Sequence, residues 1–144
     1  VQTMSAIATE TEQAGLRITM PAGEETEHLP FEAEAVARAA CQIAARLGAE
    51  AITTVTLSGF TARLVAKCRP SQPILAATPR WETYNRLALV RGVTAMRLPA
   101  ETPTRAEMVS MAKELMRAQG LQGKTVVIVS SSAPEQNLLT TDVL

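Results

Sequence analysis

The order of apolar segments is the feature that most constrains the fold of this chain. Short runs rich in Val, Ile and Thr alternate with longer segments of helical periodicity. The run AITTVTL begins at residue 51, and PILAATP, VTAMRLP, KTVVIVSSS and LLTTDVL follow it. Strands that alternate with helices are typical of βαβ units, whose right-handed crossovers make the strands parallel. Strands that are apolar almost throughout indicate that helices cover both faces of the sheet.

We therefore predict an α/β fold with three layers, αβα, around an open and mostly parallel five-stranded sheet. Only APEQN separates the last two strands, so they can pair antiparallel and place the fifth strand at an edge. The 144 residues are enough for one domain. Aromatic residues make up only 3% of the chain, so Ala, Val, Ile and Leu must form the core.

The helical segments predict the domain organisation. Residues 1–14 form an amphipathic helix, residues 15–29 form a linker loop, and residues 30–144 form the α/β core. The core opens with a long helix that starts at Pro30 and ends at Gly48, because Pro suits a first turn and Gly a helix end. The residues that we expect on its buried face are spaced at helical intervals: Ala33, Val36, Ala40, Ile43 and Leu47.

Three further helices are predicted between the strands. TARLVAKC is short and ends before Pro70, WETYNRLALVRG closes at Gly92, and TRAEMVSMAKELMRAQG follows the third strand. Thr104 precedes that last helix and Glu107 lies three residues further on. This spacing is typical of a capping box, in which each side chain bonds the backbone N–H of the other residue.

Composition argues against several classes of function. Lys and Arg number 14 and Asp and Glu number 14, no basic cluster exists, and the few aromatic residues are not interleaved with Arg or Lys, so we expect no nucleic-acid partner. No apolar run approaches the ~18 residues of a membrane span, so we expect no membrane residence. Cys41 and Cys68 lack CxxC spacing and predict two free thiols in a reducing, cytoplasmic compartment. The chain begins at Val1 inside a helical pattern, which we interpret as a piece of a longer protein.

Motifs for catalysis and metal binding are scarce in this sequence. HExxH, GxSxG, GxGxxG and a Walker lysine are all missing, so we expect no catalytic residue and no metal site. The single histidine, His28, lies in the acidic linker EETEHLP and is best interpreted as solvated. Trp81 follows Arg80 and either stacks on a ligand or packs at a helix start; we favour packing.

The segment LSGFT, between the first strand and the next helix, has two interpretations. It can be a tight strand-to-helix turn with an N-cap. It can also be an anion site, because a loop that leads into a helix offers backbone N–H groups, hydroxyls and the positive end of a helix dipole. Ligands of open parallel sheets bind beyond the carboxyl ends of the strands. This loop and SSSAPEQN both follow such ends, so a phosphate could be held between them.

Three segments carry a resemblance to a known family. They are TLSGFTA, RPSQPILAATP and LALVRGV, in that order, within a match that runs from Val1 to about Val129. The chain resembles the C-terminal domain of pyruvate kinase. Its first residues, VQTMSAIATETE, resemble the family helix that joins the catalytic barrel to this domain.

The resemblance implies a regulatory and oligomerisation role. The parent enzyme transfers phosphate from phosphoenolpyruvate to ADP in glycolysis, with magnesium and potassium, in a barrel and lid domain outside these residues. The C-terminal domain binds a phosphorylated allosteric effector and forms one dimer contact of a tetramer. By this resemblance the effector phosphate lies against Thr56, Ser58, Gly59, Phe60 and Thr61.

The effector itself is left open by two departures from the family pattern. Members that bind fructose 1,6-bisphosphate well often have Lys or Arg in this loop, where this chain has Leu57 and Phe60. A Gly-rich loop near the end is replaced by APEQN, and Arg105 is the nearest basic candidate there. A bisphosphate, a monophosphate and the loss of regulation stay possible. A free-standing domain of the same fold that binds a phosphorylated metabolite is the alternative function, and the coding sequence upstream of Val1 separates the two.

Overall fold

The computed structural model of the chain describes residues 2–13, 31–99, 104–132 and 136–143. Five helices and five strands lie along these residues, and helices and strands alternate between residues 31 and 132. The helices are α1 (Gln2–Gln13), α2 (Phe31–Leu47), α3 (Phe60–Lys67), α4 (Trp81–Leu87) and α5 (Arg105–Met116), and a π-helical turn (Arg117–Leu121) extends α5. The strands are β1 (Ala51–Val55), β2 (Ile74–Thr78), β3 (Val93–Arg97), β4 (Thr125–Ser132) and β5 (Gln136–Val143).

The five strands form one sheet in the order β3-β2-β1-β4-β5. The pairs β1–β2, β2–β3 and β1–β4 are parallel, and β5 pairs antiparallel with β4 at the edge. The predicted fold class, including the antiparallel edge strand, is confirmed. The chain therefore builds the sheet from β1 outward to β3, crosses back, and adds β4 on the other side of β1.

Helices cover the two faces of the sheet unequally. On one face α5 packs through Met108, Ala112 and Met116 against side chains of the four parallel strands. On the other face α2 and α3 pack over Ile52, Ile74 and Val127, while Leu87 of α4 packs over Ala76. All five side chains of β1 are buried, as are all five of β2. These are the three layers that the sequence pattern predicts.

The buried face of α2 differs from the predicted one. Its buried positions are all small: Ala33, Ala37, Ala40 and Ala44. Leu47, which we expected on this face, is 54% exposed. Alanines allow α2 to approach the sheet and α3 closely, so the larger side chains Val36 and Ile43 lie at the border of the contact and are only half-buried.

Two other helix predictions can be compared with the structure. The helix α1 covers residues 2–13 of the helix predicted for residues 1–14, and the linker predicted for residues 15–29 lies outside the described residues. The helix predicted from Trp81 to Gly92 is too long, because α4 ends at Leu87 and turns lead to Gly92. Gly92 has φ +76°, so it supplies the left-handed conformation in the turn before β3.

The capping box at the start of α5 is confirmed. The Thr104 hydroxyl accepts a hydrogen bond from the Glu107 N–H, and the Glu107 carboxylate accepts one from the Thr104 N–H at 2.7 Å. The hydrogen bonds from the Thr104 side chain and backbone hold the pKa of Glu107 below its usual value. The ionised Glu107 carboxylate therefore stabilises the helix start at pH values above the ordinary pKa of glutamate. This stabilisation is lost as the pH falls through the lowered pKa of Glu107.

Two adjacent threonines of β1 are fully buried in different environments. The Thr53 hydroxyl donates to the Met116 sulfur at 2.8 Å on the α5 side of the sheet. The Thr54 hydroxyl points to the other face, between the strand neighbours Ala76 and Val129, and has no hydrogen-bond partner among the described residues. A buried hydroxyl without a partner costs roughly 1–3 kcal/mol of folding free energy.

We expect Thr54→Val to raise the free energy of unfolding by about 1 kcal/mol, because Val has nearly the same shape and removes the unpaired hydroxyl. Thr53→Val is the matched control: it removes a hydroxyl that has a partner, so it should not stabilise. Urea unfolding of the two variants and the parent chain measures both effects. A Thr54→Val variant that is less stable than Thr53→Val would contradict this assignment.

Candidate functional site

The predicted loop lies at the centre of the carboxyl edge of the sheet. It follows β1, whose last residue, Val55, pairs with Ser130 of β4. Because β2 and β3 are added on one side of β1 and β4 on the other, the direction of strand addition reverses between β1 and β4. Open α/β sheets bind ligands in the crevice at such a switch point. Its position therefore makes the loop the best candidate for a binding site in the described residues.

Hydrogen bonds within the loop fix its shape. Thr56 is fully buried, and its hydroxyl oxygen accepts the Gly59 N–H at 3.0 Å. The Leu57 carbonyl accepts a hydrogen bond of 2.8 Å from the Thr83 hydroxyl, which ties the loop to α4. Two of the predicted site groups, the Thr56 oxygen and the Gly59 N–H, are therefore engaged with each other in this structure and support the turn.

Ser58 and Phe60 provide the groups that a ligand could reach. Ser58 is exposed, and its hydroxyl oxygen lies 3.4 Å from the Phe60 N–H, which makes a weak hydrogen bond. An anion could replace that oxygen and accept hydrogen bonds from both groups. The Phe60 ring packs against the core between α2 and α3, and Thr61 is only 5% exposed. The structure thus brings the five predicted residues into one turn but leaves Ser58 as its exposed hydroxyl.

Arg63 is a charged residue near the loop that the sequence analysis missed. Its Nη1 atom lies 3.5 Å from the Ser58 carbonyl oxygen. The signal was available in the sequence, because a residue in the first turn of a helix that starts at Phe60 lies beside the helix cap. The loop itself carries no charge, so Arg63 is the group that can attract an anion to it.

A basic cleft extends from Arg63 towards the opposite edge of the sheet. It has a volume of about 1260 Å³ and lies between α3 and the turns that lead into β2 and β3. Arg63, Lys67, Arg69 and Arg91 line it, and its described lining contains no Asp or Glu. Arg63, Lys67 and Arg69 lie in or just after α3, and the fold adds Arg91, so the expectation that the chain has no basic cluster is wrong for this surface.

Trp81, the single tryptophan of the chain, lies at the start of α4 and is 60% exposed. Its ring stacks on Tyr84 with centroids 5.4 Å apart, and the Arg97 guanidinium lies 5.4 Å from the Trp81 ring centroid. Trp81 therefore packs against neighbouring side chains, as we favoured, but it does so on the surface, against Tyr84 of α4 and Arg97 of β3. Thr83, two residues on, contacts the loop, so Trp81 is a fluorescent reporter close to it.

Gly59 is required by the loop for two reasons. Its φ is +78°, in the left-handed region. A Cβ at this position would lie 3.2 Å from side-chain atoms of Leu87 and Thr83, both on α4. The loop and α4 can therefore pack this closely only because residue 59 has no side chain.

We expect Gly59→Ala to lower the free energy of unfolding by at least the ~1–2 kcal/mol of a left-handed non-glycine residue. Gly92→Ala is the matched control, because Gly92 has φ +76° and open space around its Cα. The difference between the two variants in urea unfolding measures the crowding against α4. Equal losses of stability would show that Gly59 is needed for its backbone conformation alone.

Some site classes find no support in the described residues. No group of three or more His, Cys, Asp or Glu side chains there could hold a metal ion. Each helix in the described ranges is also too short or too polar to cross a lipid bilayer.

The fold and the site together define a class of protein. It is an α/β domain with a hydroxyl-lined loop at the switch point of its sheet. The family model described as pyruvate kinase, alpha/beta domain, matches residues 34–144. The chain belongs to this family. The resemblance noted in the sequence is thereby confirmed.

Individual relatives agree with this assignment. Pyruvate kinase of Eimeria tenella is 42% identical over 99 residues, which cover 67% of this chain and 18% of that protein. Pyruvate kinase of Geobacillus stearothermophilus is 36% identical over 132 residues, 90% of this chain and 22% of that protein. The crystal structure of Cryptosporidium parvum pyruvate kinase superposes with a TM-score of 0.67 at 30% identity, covering 81% of this chain and 23% of that one. The chain thus spans about a fifth of the length of these relatives.

Proposed function

We propose that this chain is the regulatory and oligomerisation domain of a pyruvate kinase and binds a phosphorylated allosteric effector. The parent enzyme would transfer phosphate from phosphoenolpyruvate to ADP and give pyruvate and ATP, in a catalytic barrel outside these residues. The parent enzyme would use magnesium and potassium in that barrel. The two free thiols suit a cytoplasmic protein. We assign no catalytic residue to these 144 residues.

The position of the Thr56–Thr61 loop carries the effector proposal. The loop follows the central strand at the switch point of the sheet, where α/β folds bind ligands. Ser58 and the Phe60 N–H can donate hydrogen bonds to a phosphate at the start of α3, whose dipole favours an anion. Thr56, Gly59 and Thr61 would shape the turn. Arg63 would supply the positive charge that the loop lacks.

We expect phosphorylated ligands to bind with Kd on the order of micromolar to millimolar, because neutral hydrogen bonds contribute only ~0.5–1.5 kcal/mol each. Calorimetry and Trp81 fluorescence would measure the binding of inorganic phosphate, sugar phosphates and nucleoside monophosphates. Affinity should fall as salt is added. Ser58→Ala should weaken binding, and Arg63→Gln should weaken it about tenfold, since hydrogen bonds to charged groups are stronger.

Arg46→Gln is the control for charge, because Arg46 is exposed in the last turn of α2 and the variant changes net charge by the same amount. It should leave the affinity unchanged. If no ligand binds at millimolar concentration, the loop is only a strand-to-helix turn. If ligands bind the Ser58→Ala and Arg63→Gln variants as tightly as they bind the parent chain, the site lies elsewhere.

The oligomerisation part of the proposal involves α2 and β5. Strand β5 is at the edge of the sheet, and α2 packs beside it, so the two elements offer one continuous surface. The outer side of α2 is rich in small residues and ends in the exposed Leu47. Two copies could meet there around a two-fold axis, through the Glu32–Leu47 helix and the 138–144 edge.

We expect the 144-residue chain to sediment as a dimer at high micromolar concentration. Ala35→Arg should shift it to a monomer, because Ala35 is exposed on α2 and a long charged side chain would separate the helices. Ala106→Arg places the same side chain on α5, at the opposite face of the sheet, and should leave the dimer intact. A monomeric parent chain, or equal effects of the two substitutions, would refute this interface.

The alternative function is a free-standing domain of the same fold that binds a phosphorylated metabolite. The same loop would carry that function, so the binding experiment does not separate the two. A coding sequence for a catalytic barrel directly before Val1 would decide for the regulatory domain.

A further inference from the structure

The two cysteines of the chain meet where α2 contacts α3. The Cys41 sulfur, on α2, lies 3.9 Å from the Val65 carbonyl oxygen, and the Cys68 sulfur, at the end of α3, lies 3.4 Å from the Leu64 carbonyl oxygen. These carbonyls belong to consecutive residues of α3, so both sulfurs lie against the same turn of that helix. Both cysteines are half-buried, so a small reagent can reach them.

The two thiols differ in acidity. The hydrogen bond from Cys41 lowers the pKa of Cys68 to about 7, against the opposing effect of burial. The nearby charges act in both directions: Arg38 of α2 and Lys67 of α3 lower this pKa, and Glu34 of α2, which is paired with Arg38 at 2.8 Å, raises it. The same sulfur–sulfur hydrogen bond and burial raise the pKa of Cys41.

We propose that Cys41 and Cys68 form a dithiol modification site that peroxides convert into a disulfide between α2 and α3. The Cys68 thiolate attacks one peroxide oxygen, the O–O bond breaks, and the departing oxygen takes up a proton; Cys68 becomes a sulfenic acid. The Cys41 sulfur then attacks the Cys68 sulfur, the S–O bond breaks, and hydroxide leaves with the Cys41 proton as water. Two thiols and one hydrogen peroxide thus give one disulfide and two waters.

The different roles of Cys41 and Cys68 follow from their positions and from the acidity of each thiol. The thiolate is the nucleophile of a cysteine, so Cys68 should react first. Cys41 contacts the same turn of α3 as Cys68 and can resolve the sulfenic acid before a second peroxide does. This site is separate from the proposed effector loop, which lies at the other end of α3.

The experiment treats the reduced 144-residue chain with a small excess of hydrogen peroxide. We expect both thiols to disappear together, the mass to fall by two hydrogen atoms, and the product to remain one chain on a non-reducing gel. Peptide mapping should join the peptides that contain Cys41 and Cys68. Two alkylatable thiols after treatment, or a disulfide between two chains, would overturn the proposal.

Two variants test the order of the steps. Cys41→Ser should stop at a sulfenic acid on Cys68 that a dimedone probe captures. Cys68→Ser should slow thiol loss about tenfold at pH 7, since Cys41 is mostly protonated there. In the parent chain, iodoacetamide should label Cys68 with a rate that rises through about pH 7. If iodoacetamide labels Cys41 faster than Cys68 in the parent chain, the assigned roles are wrong.

Discussion

The fold depends on the complete burial of β1. Its five side chains are buried on both faces, and parallel neighbours occupy both of its hydrogen-bonding edges. A strand in this position has no surface for water, so the chain must cover it from both sides with helices. The order of the sheet, the reversal between β1 and β4, and the position of the following loop are consequences of placing this strand at the centre.

The small polar turn after β1 has a structural role as well as being a candidate ligand site. The chain has to leave a fully buried strand and enter a buried helix within four residues, Thr56 to Gly59. The Thr56 hydroxyl and the left-handed Gly59 close that turn, and α4 packs directly against it. Two groups that the sequence suggested for ligand binding therefore have structural roles, and the exposed Ser58 and the neighbouring Arg63 are left for the ligand.

Local signals predicted much of the fold. The strands, the antiparallel edge and the capping box of Thr104 and Glu107 were all predicted, because residue type and spacing within one segment decide them. The buried face of α2 was predicted wrongly at Leu47, because the close approach of α2 selects its alanines and no local pattern reveals that approach. Three of the basic residues of the cleft lie in or just after α3, and only Arg91 comes from a distant turn. The contact of Cys41 with α3 joins two different helices, so the spacing of the two cysteines gave no sign of it.

Helix α3 connects the candidate loop with the cysteine pair. It has eight residues and is about 12 Å long. Gly59 caps one end and Cys68 the other. The contact of Cys41 with the Val65 carbonyl already joins the C-terminal end of α3 to α2. A covalent bond there would restrict how far α3 can turn. The Phe60 N–H at its start moves with the helix, so the geometry of the loop would be restricted too.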